Sequence, residues 1–362
     1  MRLPYEEFDL TGVKTYPLRT RASKVTLAQF ATPYQKGSGV DGLLKTLPSL
    51  LASGDFKAVV QALLAARQGD RAVIWGLGAH VLKTGLSPVI VDLMERGFVS
   101  AIATNGAGII HDFEIALSGA TSEDVDATLG PGTFGMAEET GTQLNAAIVD
   151  GAARGLGLGQ AVGAFLANQR APFAQISIAA NAHRLGIPIT AHVAIGTDII
   201  HMHPRASGAA IGEASLRDFK YFASSVARLE GGVFLNCGSA VVLPEVFLKA
   251  VAIARNDGRS LAGLTTVNLD FLRHYRALTN VVTRPTAGIG KGYSLTGHHE
   301  IMLPLLMLPL ILPIFIAGIR ASSKLLLGQT LSEAAPWLNL MVGFDVIFLV
   351  VGWLAFEYVV AE

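Results

Sequence analysis

The chain has 362 residues, room for one large domain or two ordinary ones. Its 28 Lys+Arg balance 28 Asp+Glu, so no net field draws in an anionic polymer and no nucleic-acid partner is expected. Charged residues make up 15% and mean hydropathy is +0.46, too apolar for disorder, while a single cysteine, Cys237, excludes a disulfide framework and a multi-thiolate metal site.

The first ten residues, MRLPYEEFDL, are polar and acidic, so nothing marks a secretory signal and residues 1–300 are expected in the cytoplasm. Residues 1–70 read as a helical segment. Apolar positions recur at helical spacing over Val40–Leu51 and Phe56–Ala66, with a turn expected at Ala52-Ser53-Gly54-Asp55. After Arg71 the pattern changes to alternating strands and helices, predicting an α/β domain over 71–302 with a doubly wound, mostly parallel sheet. A strand at Ala72–Trp75 leads into Gly76-Leu77-Gly78 and a helix at Ser87–Glu95. A strand at Val99–Ala103 runs into Thr104-Asn105-Gly106-Ala107-Gly108. A helix over 173–185 precedes a strand at Pro188–Val193 and the loop Ala194–His203. A helix over 216–229 precedes a strand at Gly232–Asn236 and the turn Cys237-Gly238-Ser239-Ala240. Such sheets bind ligands beyond the carboxyl ends of their strands, and four glycine-bearing loops at those ends suit a nucleotide.

Several motifs in order carry a resemblance: Gly78–Pro88, Ala101–Gly108 with His111-Asp112-Phe113-Glu114, Gly196–His201, Gly238–Val242, and Thr283-Arg284-Pro285 through Gly297-His298-His299-Glu300. Over about residues 30–304 the chain resembles the deoxyhypusine synthase-like family. The resemblance implies a Rossmann-like NAD-binding fold, a homotetramer with sites at subunit interfaces, and transfer of an aminobutyl group. In that family NAD oxidises a polyamine such as spermidine, and the fragment passes through an enzyme-lysine imine to an acceptor amine. By the same resemblance Lys291 would be the imine lysine and Asp198 a catalytic residue that meets the polyamine. Thr104, Asn105, Gly106, Gly108, Asp112, Gly238 and Ser239 would hold NAD, and His201 and His298 would touch substrate. Leu243, Pro244 and Glu245 stand where the classical enzymes carry a histidine, and Ile110-His111-Asp112 replaces a richer carboxylate motif. A rival reading is a metal-dependent hydrolase, since His192, His201, His203 and His298-His299-Glu300 include spacings that can ligate zinc or iron.

Residues 303–362 differ again. No residue from Ile301 to Ile319 is charged, close to the roughly 20 apolar residues that span a bilayer core, and Ala335–Phe356 is broken only by Asp345. Pro304, Pro309 and Pro313 argue against an ordinary soluble helix there. The two runs, joined by Arg320–Glu333, predict a transmembrane hairpin. Leu305–Ile319, Leu331–Trp337, Gly343–Leu349 and Phe356–Val359 resemble the C-terminus of heme exporter protein B, an ABC permease subunit of cytochrome c biogenesis. That resemblance implies a cytoplasmic domain anchored to the membrane by its tail, and a second functional reading as a heme-exporter fragment. Without the tail, the expected location is the cytoplasm.

Overall fold

The computed structural model describes residues 6–310. Two helices, α1 (Gly39–Thr46) and α2 (Leu51–Gln68), precede the first strand. The turn expected at Ala52–Asp55 is instead the opening of α2, where the Gly54 N–H donates to Leu50 O at 3.2 Å. Phe56, Val59, Val60, Leu63 and Ala66 form one unbroken buried stripe, and that continuity carries the helix through the polar residues before it.

Six strands follow: β1 (Val73–Leu77), β2 (Ala101–Asn105), β3 (Ile189–His192), β4 (Val233–Cys237), β5 (Thr265–Asp270) and β6 (Lys291–Thr296). They form one sheet in the order β3-β2-β1-β4-β5-β6, and every adjacent pair is parallel. The first four match the expected strands, whereas β5 and β6 were not anticipated. Helices α3 (Ala79–Lys83) and α4 (Ser87–Glu95) connect β1 to β2. Between β2 and β3 lie α5 (Gly106–Ser118), α6 (Val125–Leu129), α7 (Glu138–Ala153), α8 (Leu158–Asn168) and α9 (Ile178–Leu185). Then come α10 (Gly208–Val226) before β4, α11 (Val242–Asn256) before β5, and α12 (Tyr275–Ala277) with a π-helical turn, Leu278–Thr283, before β6.

Side-chain caps set two boundaries differently from the sequence pattern. Ser177 accepts the Ala180 N–H and starts α9 at Ile178, not 173. Ser207 accepts the Ala210 N–H and starts α10 at Gly208, eight residues ahead of the expected 216.

Both faces of the sheet are covered, as a parallel sheet requires. Trp75, Leu77, Ile102, Leu235, Val267 and Leu269 share one core with residues of α2, α4, α5, α8 and α9. Ile74, Ala101, Ala103 and Phe234 point the other way, into α10 and α11, where Phe234 stacks on Phe247 with ring centroids 3.7 Å apart.

The start of the tail departs from expectation. Residues 299–310 are helical, cross the anticipated boundary at 303, and bury Leu303, Leu306, Met307 and Leu310 in the same core as Trp75 and Leu295. Packing against protein, not lipid, satisfies this apolar face. Among the described residues no helix is long and apolar enough to cross a membrane. The expectation of a membrane-anchored location is corrected accordingly. The loop Arg320–Glu333 and the run Ala335–Phe356 lie outside the described residues.

Candidate functional site

Strands β1, β2 and β3 proceed to one side of the sheet, and the chain then returns to place β4 on the other side of β1. The connections therefore diverge between β1 and β4, which is where doubly wound sheets open a ligand crevice. At this point the two loops meet without side chains. The Gly78 N–H donates to Cys237 O at 2.8 Å, and a Cβ on Gly78 would stand 2.0 Å from Gly238 O. Gly238 has φ +69°, a left-handed conformation that glycine adopts without strain.

The turn then enters α11, whose N-cap residue Val241 makes no side-chain cap bond; Leu243 donates to Ser239 and Pro244 has no N–H, which leaves the Val242 amide in the first turn for an anion. Ser239 Oγ accepts the Leu243 N–H at 3.2 Å and braces the turn. Glu245 would oppose an anion there, but Lys249 and Arg276 pair with it and hold its carboxyl below the usual range. Gly238, Ser239 and the Val242 amide are the groups that could hold a dinucleotide phosphate at the α11 end.

The β2–α5 turn is arranged differently. Thr104 Oγ1 donates to Leu77 O at 2.8 Å, and Asn105 Oδ1 caps the Gly108 N–H at 2.8 Å. The first turn of α5 already holds an anion. Asp198, 7% exposed, accepts the Ala107 N–H, and a Cβ on Gly106 would meet its Oδ2 at 1.9 Å. The turn expected to hold cofactor is thus engaged within the protein.

His201 Nδ1 lies 4.0 Å from Asp198 Oδ2 and accepts the Gly196 N–H at 3.2 Å. That bond makes Nδ1 the acceptor and leaves the proton of the neutral ring on Nε2. Both Asp198 Oδ2 and His201 Nε2 are buried without a hydrogen-bond partner, an acceptor and a donor left unsatisfied. Burial raises the Asp198 pKa, offset by His201 and the Ala107 N–H. A cation beside Asp198 would lower it again.

Asp112 does not join them. Its two oxygens accept from Ser177 Oγ and the amides of Ile178 and Ala179 at 2.6–2.9 Å, so it caps α9. Burial raises its pKa. Lys291 begins β6 opposite Thr265, at the amino edge of the sheet. Five residues at about 3.3 Å each put it roughly 17 Å of strand away from the carboxyl end. Its expected part as the imine lysine meets this obstacle, because Lys291 is the first residue of β6.

His298 lies on the far side of the crevice from His201. It is exposed and parallel to Phe271, with ring centroids 6.4 Å apart. His299 is buried beside it, with Nε2 3.2 Å from Leu269 O and 4.0 Å from Asp270 Oδ1. Burial lowers the His299 pKa. Asp270 and Phe271, at the end of the unanticipated β5, were missed for that reason. His192 ends β3, buried against Phe222 with ring centroids 5.2 Å apart. Among the described residues no three His, Cys, Asp or Glu side chains gather to hold a metal ion, so the histidine spacing does not build the centre that the hydrolase reading needs.

No family model matches the chain, and no curated protein matches it. Solved structures are similar in fold. AgrE, in a ternary complex with ornithine and NAD+, has TM-score 0.48 and 15% identity over 71% of this chain and 33% of that one. A conserved LOR/SDH protein from Methanococcus maripaludis S2 has TM-score 0.47 and 16% identity over 72% and 70%. A deoxyhypusine synthase candidate from Entamoeba histolytica has TM-score 0.42 and 14% identity over 77% and 95%. The chain spans about a third of AgrE's length. The heme exporter finds no counterpart among these structures.

Proposed function

We propose that this protein is an NAD-dependent enzyme that oxidises a small cationic amine. The observation that carries the reading is a division of charge across the β1–β4 crevice. On the β4 side, the glycine turn at Gly238, with Ser239 and the Val242 amide at the start of α11, favours a phosphate. On the β2 side, Asp198 already occupies the start of α5, so it repels a phosphate and favours an ammonium. A dinucleotide laid over β4 and β1 would then end next to an amine held at Asp198.

NAD supplies a hydride acceptor. Asp198 would hold the ammonium and take up one of its protons, freeing the nitrogen lone pair so that an iminium forms as hydride leaves the adjacent carbon for the cofactor. His201 Nε2–H would orient a lone pair on the substrate. The finer reading, aminobutyl transfer from a polyamine such as spermidine to an acceptor amine, needs a lysine at this end of the sheet. Lys83 is the candidate: it closes α3 directly after β1, is exposed, and its charge lowers the His111 pKa, though less than burial does. A homotetramer is proposed with it, on the resemblance alone.

Calorimetry on the full chain tests the cofactor, with NAD binding expected and Ser239→Asp expected to weaken it at least tenfold. Absence of binding by folded protein overturns the assignment. Borohydride trapping with NAD and spermidine then tests transfer. Mass added at Lys83 supports it, and NADH formation without any trapped lysine reduces the activity to amine oxidation.

A further inference from the structure

We infer that a second binding site, at the amino end of β3, takes a small carboxylate with an apolar body. A cavity of about 300 Å³ lies there between α8, α9 and α10. That is the lower end of the roughly 300–1,000 Å³ range of ligand pockets. Ile187, Pro188 and Ile189 form its apolar wall, and Gln160, His183 and Tyr221 stand around it. Strand β3 is outermost in the sheet and runs from Ile189 to His192, so the cavity lies at the amino edge while the crevice lies beyond the carboxyl ends. The two sites are separate.

Close approaches that glycine alone permits hold the walls in place. A Cβ on Gly159 would stand 2.5 Å from Ile189 O, and one on Gly163 would stand 2.4 Å from Ala179 O, so α8 lies directly on β3 and α9. Asp218 Oδ2 accepts the amides of Gly159 and Ala191 at 2.9 and 2.8 Å, which pins α10 to both α8 and β3. Tyr221, one turn along α10 from Asp218, lies against Gly157, whose Cβ would be 3.5 Å from Tyr221 Cδ2. The cavity is therefore formed before a ligand arrives, and little ordering of the walls opposes binding.

The polar groups decide the ligand's chemistry. Among the described residues, the side chains of Gln160, His183 and Tyr221 make no hydrogen bond or ion pair. Each can donate: Gln160 through its amide nitrogen, Tyr221 through its hydroxyl, and His183 through at least one ring N–H in either charge state. No described Asp or Glu lines the cavity. Asp218 stands behind the wall with Oδ2 engaged by two amides, and burial, which pushes its pKa up to about 7, reduces the charge it sets against an anion. A carboxylate accepts from all three donors, and charge strengthens those bonds. Its apolar body is left to Ile187, Pro188 and Ile189. An ammonium finds no counter-charge in this lining, the reverse of the crevice at Asp198.

The test is titration of the full chain with benzoate, followed by calorimetry and ligand-observed NMR. One site per chain is expected, with Kd about 1 mM or tighter. Benzyl alcohol, which keeps the ring and lacks the charge, should bind at least tenfold more weakly. The double variant His183→Ala, Tyr221→Phe, with native circular dichroism, should lose benzoate affinity at least tenfold. Tyr221→Phe alone, which keeps the ring and removes one donor, should lose about threefold or more. Saturating NAD should leave benzoate affinity unchanged. No saturable benzoate binding overturns the proposal, as does benzyl alcohol binding as tightly as benzoate. So does undiminished affinity in both variants, and displacement by NAD would overturn it by putting the ligand in the crevice.

Discussion

Gly106 leaves, at the first residue of α5, the space that the Asp198 carboxylate fills, for a Cβ there would stand 1.9 Å from Oδ2. Ninety-two positions apart in sequence, the two residues are one device: the glycine admits the carboxylate, and the Ala107 N–H holds it. Gly106→Ala should expel Asp198 from the start of α5. The expected result is at least a tenfold loss of amine-dependent NADH formation with NAD affinity nearly unchanged, and a stability loss of about 1–3 kcal/mol from overpacking. Steady-state kinetics beside calorimetry would check both. Unchanged amine kinetics would remove Asp198 from the site.

Asp218 of α10 makes stability depend on pH. Its Oδ2 accepts the amides of Gly159 and Ala191 at 2.9 and 2.8 Å, joining α8 to β3, while Oδ1 is buried without a partner. Burial pushes its pKa up to about 7. Between the ordinary carboxyl range and 7 the folded chain binds a proton that the unfolded chain has released. This contribution is therefore fully present at acid pH and is lost as pH rises through about 7. Asp218→Asn keeps an acceptor oxygen and removes the charge. Urea midpoints at pH 5 and 8 should differ less in the variant than in the native chain.

His192 acts in the opposite sense. Burial lowers its pKa to about 4, so the folded chain lacks a proton that the unfolded chain carries between 4 and 6.5. Its stability contribution is present above 6.5 and disappears as pH falls through about 4. His192→Phe, placed against Phe222, should soften acid unfolding, read as a lower midpoint pH in fluorescence.

Leu306 is fully buried in the helix over 299–310. Leu306→Ala should cost about 2–5 kcal/mol by lost transfer energy and a cavity. Truncation before residue 299 should destabilise the domain further, by a denaturant midpoint. A truncated chain as stable as the full one would mean that this helix is not part of the core.

Apolar periodicity and glycine-bearing turns in the sequence were enough to anticipate a doubly wound parallel sheet, four of its strands and the loops at their carboxyl ends, because those signals are local. Strand β5 was hidden in Thr265–Asp270, whose Thr266 and Asn268 interrupt the apolar run; Asn268 is buried because the neighbouring strand supplies a partner, Asn236 Nδ2 donating to it at 2.8 Å. The pairing of β6 with β5 drew Lys291 into the amino edge of the sheet, and no local feature of Gly290-Lys291-Gly292 announces a strand edge. Likewise Asp112 could be identified as a buried acid only once Ser177 and the start of α9 arrived from 65 residues away to occupy it. Residues 301–310 have a composition that fits lipid and a protein core equally well, since both remove apolar surface from water. Only the tertiary structure decided between them, by providing a core with a place for Leu303, Leu306 and Leu310.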